Sequence, residues 1–163
     1  MITAKVVKKG NSLSKISKNV KKLDGENVQI GYFAEQGVHK GSKMTYASLM
    51  ALLEYGNEDI PKRPIFTIAA FQNSPEKDTR VKRAVRAWNK ELLTSDNSKA
   101  LLDKLGRMYR KSIGDLFGDT SAIEGNHPTT IRLKGRDDPL RDTGDLKRKL
   151  SFRNSLDKEI KKK

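Results

Sequence analysis

The residue types that usually do chemistry are few in this chain, and none is spaced for it. His39 stands in a Gly/Lys-rich stretch and His127 precedes a proline. Neither has a serine or carboxylate at a spacing that would make it a general base, so both read as surface side chains. There is no cysteine, which excludes a thiolate nucleophile, a Cys-ligated zinc site, an iron–sulfur cluster and a disulfide framework. Asp137, Asp138 and Asp142 form an acidic cluster of the kind that holds Mg²⁺. Arg136 and Arg141 flank it, however, and local ion pairing is the expected role. The stretch DTSAIEGN at 119–126 lacks the alternating ligands of a calcium loop. Phosphate-cradling glycine motifs, H-E-x-x-H and G-x-S-x-G do not occur. The expectation is a protein without catalytic residues, cofactor or metal.

Charge is the stronger signal. Against 20 acidic residues stand 34 Lys and Arg, a formal net charge of +14. Residues 1–23 carry seven basic residues and no acid, and residues 145–163 carry eight basic residues and three acids. The stretch 24–144 is nearly balanced, with 19 basic and 17 acidic residues. Basic ends suit contact with a polyanion, usually nucleic acid, but they also simply keep a chain in solution, and composition does not separate the two. Lys82, Arg83, Arg86 and Lys90 fall on one face of a predicted helix. That face is a candidate phosphate contact, although an ordinary solvated face is the expected reading. Aromatic residues sit mostly at core-facing positions and are not interleaved with basic ones as base-stacking platforms are. Any nucleic-acid contact would therefore be electrostatic and blind to sequence. No apolar run approaches the roughly 20 residues of a membrane helix, and the first residues lack the apolar segment of a signal peptide. The expected setting is the cytosol or an assembly built there.

Periodicity supplies the elements. Leu13, Ile16, Val20 and Leu23 predict an amphipathic helix over 12–22, ended by Asp24-Gly25. Alternation of Val28, Ile30 and Tyr32 predicts a strand over 26–33. Residues 34–43 read as a loop. Tyr46, Leu49, Met50 and Leu53 predict a helix over 45–55, with Gly56 as its left-handed cap. Pro61 and Pro64 forbid a regular helix through their stretch, and Pro64 suits the start of a short helix over 65–72. Ser74-Pro75 opens a helix over 76–93 whose apolar stripe is Val81, Ala84, Val85, Trp88 and Leu92. The broadest stripe, from Leu101 through Met108 to Phe117, predicts a helix over 99–117. Residues 119–141 read as loop with a short helix at 129–133, followed by a short helix over 143–148 and a strand over 149–154. The expected fold is α+β: several amphipathic helices on a small antiparallel sheet, with long loops and extended basic termini. Its parts are a basic N-terminal segment (1–23) whose helix packs on the domain, one domain over 24–154, and a charged tail over 155–163.

One ordered set of blocks goes beyond composition. A strand containing Gly31 and a glycine-rich loop precede a helix ending Leu53-Glu54-Tyr55-Gly56. Then come Ile60-Pro61-Lys62-Arg63-Pro64-Ile65-Phe66, a long helix with Leu105-Gly106, and Pro128-Thr129-Thr130-Ile131 with Lys134-Gly135. Pro139-Leu140 and Asp142-Thr143-Gly144-Asp145-Leu146 close the series. Over residues 26–153 this order resembles the neck and tail-completion proteins of long-tailed bacteriophages, also called virion morphogenesis or minor structural proteins. That family shows a helix ending in E-x-G, an I-P-x-R-P-F block, a helix, a T-I-x-x-K-G piece and a P-L-x-D-T-G-x-L block. Here Ile65 precedes Phe66, so the aromatic comes one place late.

The resemblance implies a non-enzymatic virion protein of the head–tail junction, assembled in the host cytoplasm and closing as a hexameric or twelve-fold ring between connector, terminator or tail-tube proteins. A tail terminator capping the tube is the alternative within that setting. A small basic nucleic-acid-binding accessory protein is the alternative outside it. The block residues Glu54, Gly56, Pro61, Arg63, Pro64, Phe66, Pro139, Leu140, Asp142, Thr143, Gly144 and Leu146 then carry structure, with Glu54 expected to pair with Arg63 and Thr143 to cap the helix beginning at Gly144. Lys5, Lys8 and Lys9, with Lys161, Lys162 and Lys163, become candidate contacts to channel DNA or to acidic neighbours.

Overall fold

A computed structural model describes residues 12–73, 86, 90, 91 and 97–157 of the chain. Each helix in it has a local reason to start or stop. Helix α1 (Ser12–Leu23) ends where Gly25 takes φ +75°. Helix α2 (Tyr46–Tyr55) begins at Thr45, whose Oγ1 accepts from the Ser48 amide at 3.1 Å. It ends at Gly56, whose φ of 70° suits a residue without a side chain. Helix α3 (Ile65–Gln72) follows Pro64. Helix α4 (Ser98–Asp115) starts at Asn97, whose side chain accepts from the Ala100 amide at 3.0 Å. Helix α5 (Pro128–Lys134) has its proline in the first turn and stops at left-handed Gly135. Helix α6 (Asp145–Lys149) runs directly into a strand.

The two strands lie far apart in sequence. Strand β1 (Val28–Gly31) pairs antiparallel with β2 (Ser151–Asn154), in the register Val28 with Asn154 and Ile30 with Phe152. A two-stranded ribbon is marginal alone and needs a packed partner. Helix α4 is that partner, lying against both strands and also contacting α3 and α1. The approach is close because Gly106 has no side chain: a Cβ there would lie 2.2 Å from Cδ2 of Phe152. Asn154, fully buried, joins strand to helix by donating from Nδ2 to Asp103 Oδ1. The core gathers Met50, Ile65, Ala69, Ile113, Leu116, Phe117 and Leu150, so α2, α3, the end of α4 and the residue just before β2 share one apolar interior.

The architecture is the expected α+β, with six helices and a small antiparallel sheet among the described residues. Details differ. The strand predicted over 26–33 is shorter, because Phe33 opens a 3-10 turn at Ala34–Gln36. The predicted loop over 34–43 holds this turn and also a bridge between Val38 and Thr45. Met108, expected in the apolar stripe of α4, is 44% exposed. Of the helix predicted over 76–93, Arg86, Lys90 and Glu91 are helical and exposed, while Lys82, Arg83 and the apolar stripe lie outside the described residues. Residues 1–11 and 158–163, with Lys5, Lys8, Lys9 and Lys161 to Lys163, also lie outside them.

Candidate functional site

Glu54 and Arg63 do not pair. The Glu54 carboxylate, buried in the last turn of α2, receives the Phe66 amide at 3.1 Å and the Thr67 amide at 3.0 Å, and the Thr67 hydroxyl at 2.9 Å. It thus satisfies the open amides at the start of α3, where a negative charge is favoured. Pro64, with no side chain suited to capping, leaves those amides to Glu54. Arg63 is buried too, and turns the other way. Its Nε donates to the Glu124 carbonyl and its Nη2 to the Gly125 carbonyl, each at 2.9 Å. Burial lowers its pKa below the ordinary arginine value, while the charges of Glu124 and Asp137 act in the opposite direction. The sequence placed two opposite charges nine positions apart; the fold gives each of them backbone partners instead.

Gly56 is held between elements. A Cβ at its position would lie 2.8 Å from the Ile60 carbonyl and 2.9 Å from the Lys62 amide. The Arg63 amide donates to Leu53 O at 2.8 Å, so the Pro61–Pro64 segment folds back along the end of α2. Phe66 packs at the edge of the core.

The last block meets this region from the other side. Pro139 is fully buried and its carbonyl accepts from Gly118 N at 2.9 Å. Leu140 reaches the core with φ 60°, a left-handed conformation that costs a branched residue energy and that packing must offset. Thr143 Oγ1 accepts from the Asp145 amide at 3.3 Å, but the N-cap position of α6 belongs to Gly144, at φ 77°. Leu146 packs on the core, and its carbonyl accepts from the Tyr32 hydroxyl at 2.9 Å. Burial raises the Tyr32 pKa well above the usual tyrosine range.

Tyr46 donates its hydroxyl to Asp145. This bond raises the tyrosine pKa and is the main cause that lowers the Asp145 pKa, with Arg148 adding to the latter. Gln36 donates from Nε2 to Lys149 O and to Ser151 Oγ, and accepts the Phe33 amide on Oε1. Neither tie was visible in the sequence, because both join residues more than 90 positions apart. His39 packs edge-on to Tyr46 and bonds Ser42, so it is half-buried rather than free at the surface. His127 is exposed and accepts the Thr129 amide, capping α5.

The blocks converge on a cleft of about 210 Å³ between α2 and the 140–146 segment. Its walls include Leu49, Leu53, Arg63, Asn126, Leu140 and Asp145. Asn126 donates its amide to Asp137 at 2.7 Å, and its side-chain Nδ2 is buried without a hydrogen-bond partner among the described residues. In the acidic cluster Arg136 pairs with Asp138 at 3.0 Å, as expected. Arg141 does not join it; its stem turns over Gly118. No group of three or more potential metal-ligating side chains occurs among the described residues. Searches of family models, curated proteins and solved structures return no match to the chain.

The arrangement can therefore be described by its own geometry. Buried charges, left-handed residues and long-range ties hold three irregular segments (56–64, 124–126 and 137–146) in fixed positions against α2. In these ties Glu54 and Arg63 bond mainly to backbone groups.

Proposed function

We propose that the chain is a non-enzymatic virion structural protein of the head–tail junction of a long-tailed bacteriophage, a ring-forming neck or tail-completion protein between connector and tail. The observation that carries this reading is the ordered set of sequence blocks, whose members Arg63, Leu140, Asp142, Thr143, Gly144 and Leu146 line one cleft. Residues shared by such blocks but occupied with positioning loops fit a protein that works through contact surfaces. A ring needs heterologous contacts that close by rotation, so each copy must present two different, firmly shaped faces. In a ring, Lys5, Lys8, Lys9 and Lys161 to Lys163, which lie outside the described residues, are the candidate contacts to channel DNA or acidic neighbours. A tail terminator would use the same surfaces at another place on the tail axis.

Native mass spectrometry of the full chain across protein concentration tests the reading. The expected result is a discrete closed ring of six or twelve copies. A chain that remains monomeric throughout, and forms only a complex with added DNA, would overturn it in favour of a small nucleic-acid-binding accessory protein.

A further inference from the structure

A second concave feature lies outside the blocks' cleft. Helix α4 presents Arg107, Arg110 and Lys111 along one side of a groove of about 720 Å³, and Arg141, Lys147 and Arg148 line the other. All six side chains are exposed. Asp115 is the one carboxylate in the lining, and it is held by Lys111 at 2.6 Å. Arg148 bonds Asp145 at 3.1 Å and the Thr143 carbonyl at 2.9 Å. The Nε of Arg110 donates to the Leu150 carbonyl at 2.8 Å, which fixes its guanidinium in the groove. Among the described residues, no acidic side chain pairs with Arg107, Arg110, Arg141 or Lys147.

This concentration of charge is only partly a consequence of composition: Lys147 and Arg148 belong to the basic stretch 145–163, but Arg107, Arg110, Lys111 and Arg141 do not. The stretch 24–144 is nearly balanced, with 19 basic and 17 acidic residues. Elsewhere its cations find carboxylates: Lys99 with Asp103 and Asp157, Lys104 with Glu91, Arg136 with Asp138. In the groove, the fold instead brings together two basic runs some 30 positions apart. Lys147 Cε lies 3.7 Å from where a Cβ of Gly114 would be, so this side chain reaches across to α4. Clustered like charges repel, and a concave surface focuses their field, so the groove attracts an extended polyanion more strongly than scattered lysines do. Guanidinium groups suit phosphate oxygens, which they meet with paired donors. The lining offers no aromatic ring for base stacking.

We infer that this groove binds the phosphodiester backbone of duplex DNA without reading its sequence. The site does not include the terminal lysines Lys5, Lys8, Lys9 and Lys161 to Lys163, and the inference does not depend on ring formation. The test is fluorescence anisotropy of a labelled 25-base-pair duplex with the full chain, titrated across KCl concentration. The variant Arg107→Gln/Arg141→Gln/Lys147→Gln removes three exposed, unpaired charges and should leave the melting temperature unchanged. Each phosphate contact contributes about 0.9 to the slope of log K against log salt, so this variant should flatten the slope by about 2.7. The equal-charge control Lys18→Gln/Lys21→Gln/Lys22→Gln, on the exposed side of α1, should change it by less than about 0.5. Equal losses in the two variants would overturn the inference, because diffuse net charge would then explain binding. Tight, groove-dependent binding of polyglutamate with no measurable DNA affinity would also overturn it, and would make the groove a seat for an acidic protein segment.

Discussion

Replacing Gly106 by alanine should destabilise the protein, although alanine is the better helix former. In the middle of a helix, glycine costs about 1 kcal/mol relative to alanine. On propensity alone the substitution would stabilise α4 by that amount. The packing opposes it. The new Cβ would meet Cδ2, Cγ and Cε2 of Phe152 at 2.2, 2.6 and 2.7 Å. Ordinary carbon–carbon contact is about 3.5–4.0 Å, so the ring must retreat by more than ~1 Å. Cγ is the root of the ring, and turning the ring about its own axis leaves it in place. Phe152 is also fixed by its backbone pairing with Ile30. The helix and ribbon must therefore separate, and overpacking of this kind costs about 1–3 kcal/mol. The net loss should be up to about 2 kcal/mol, or a fall in Tm of up to roughly 4–8 °C for a chain of this size. Urea unfolding measures it as a lower midpoint at constant m. The sign should reverse in a Phe152→Ala background, where only propensity remains and Gly106→Ala should stabilise by roughly 0.5–1 kcal/mol. A Gly106→Ala protein more stable than the parent, with Phe152 in place, would refute the reasoning.

Gly56→Ala should be worse still, about 2–4 kcal/mol by urea unfolding, because a positive φ and two backbone atoms under 3 Å oppose a side chain together. Glu54→Ala should cost about 1–3 kcal/mol by leaving the Phe66 and Thr67 amides open. The cost of Arg63→Ala should add to it within about 0.5 kcal/mol, since the two side chains share no partner; strong coupling in the double-mutant cycle would restore the ion pair. The Tyr46–Asp145 bond predicts a pH window. A lowered Asp145 pKa means stability present above about pH 4 and lost as pH falls further; a raised Tyr46 pKa means stability lost as pH climbs past about 10. Thermal melts across pH should show both flanks, each flatter in Tyr46→Phe.

The parts of the fold visible in the sequence are those fixed by local patterns. The stripe from Leu101 to Phe117 required a long helix, Gly56 its neighbour's end, and the alternation around Ile30 a strand. Partners were less visible. Nothing local says that Ile30 faces Phe152, or that Gly106 exists to admit that ring. The Glu54 and Arg63 error has the same origin. Short separation suggested mutual pairing, but one side chain is drawn to amides exposed by Pro64 and the other to carbonyls about 60 positions away. The α4 groove was hidden for a related reason. Arg107, Arg110 and Lys111 alone look like a solvated face, and only the return of 141–148 turns them into one wall of something.

The pairing of β1 with β2 also sets a schedule for the nascent chain. About 120 residues separate the two strands. Closing such a loop carries an entropy cost of roughly 4 kcal/mol beyond a constant, and at about 5–20 residues per second the ribosome takes ~6–24 s to deliver the second strand. Throughout that interval β1 has no ladder, α4 has no Phe152 to receive, and Asp103 has no Asn154. The tertiary structure is thus locked by residues made about 120 positions after the strand they pair with. A chain cut short before Ser151 would lack the sheet altogether, and with it the partner that α4 packs against.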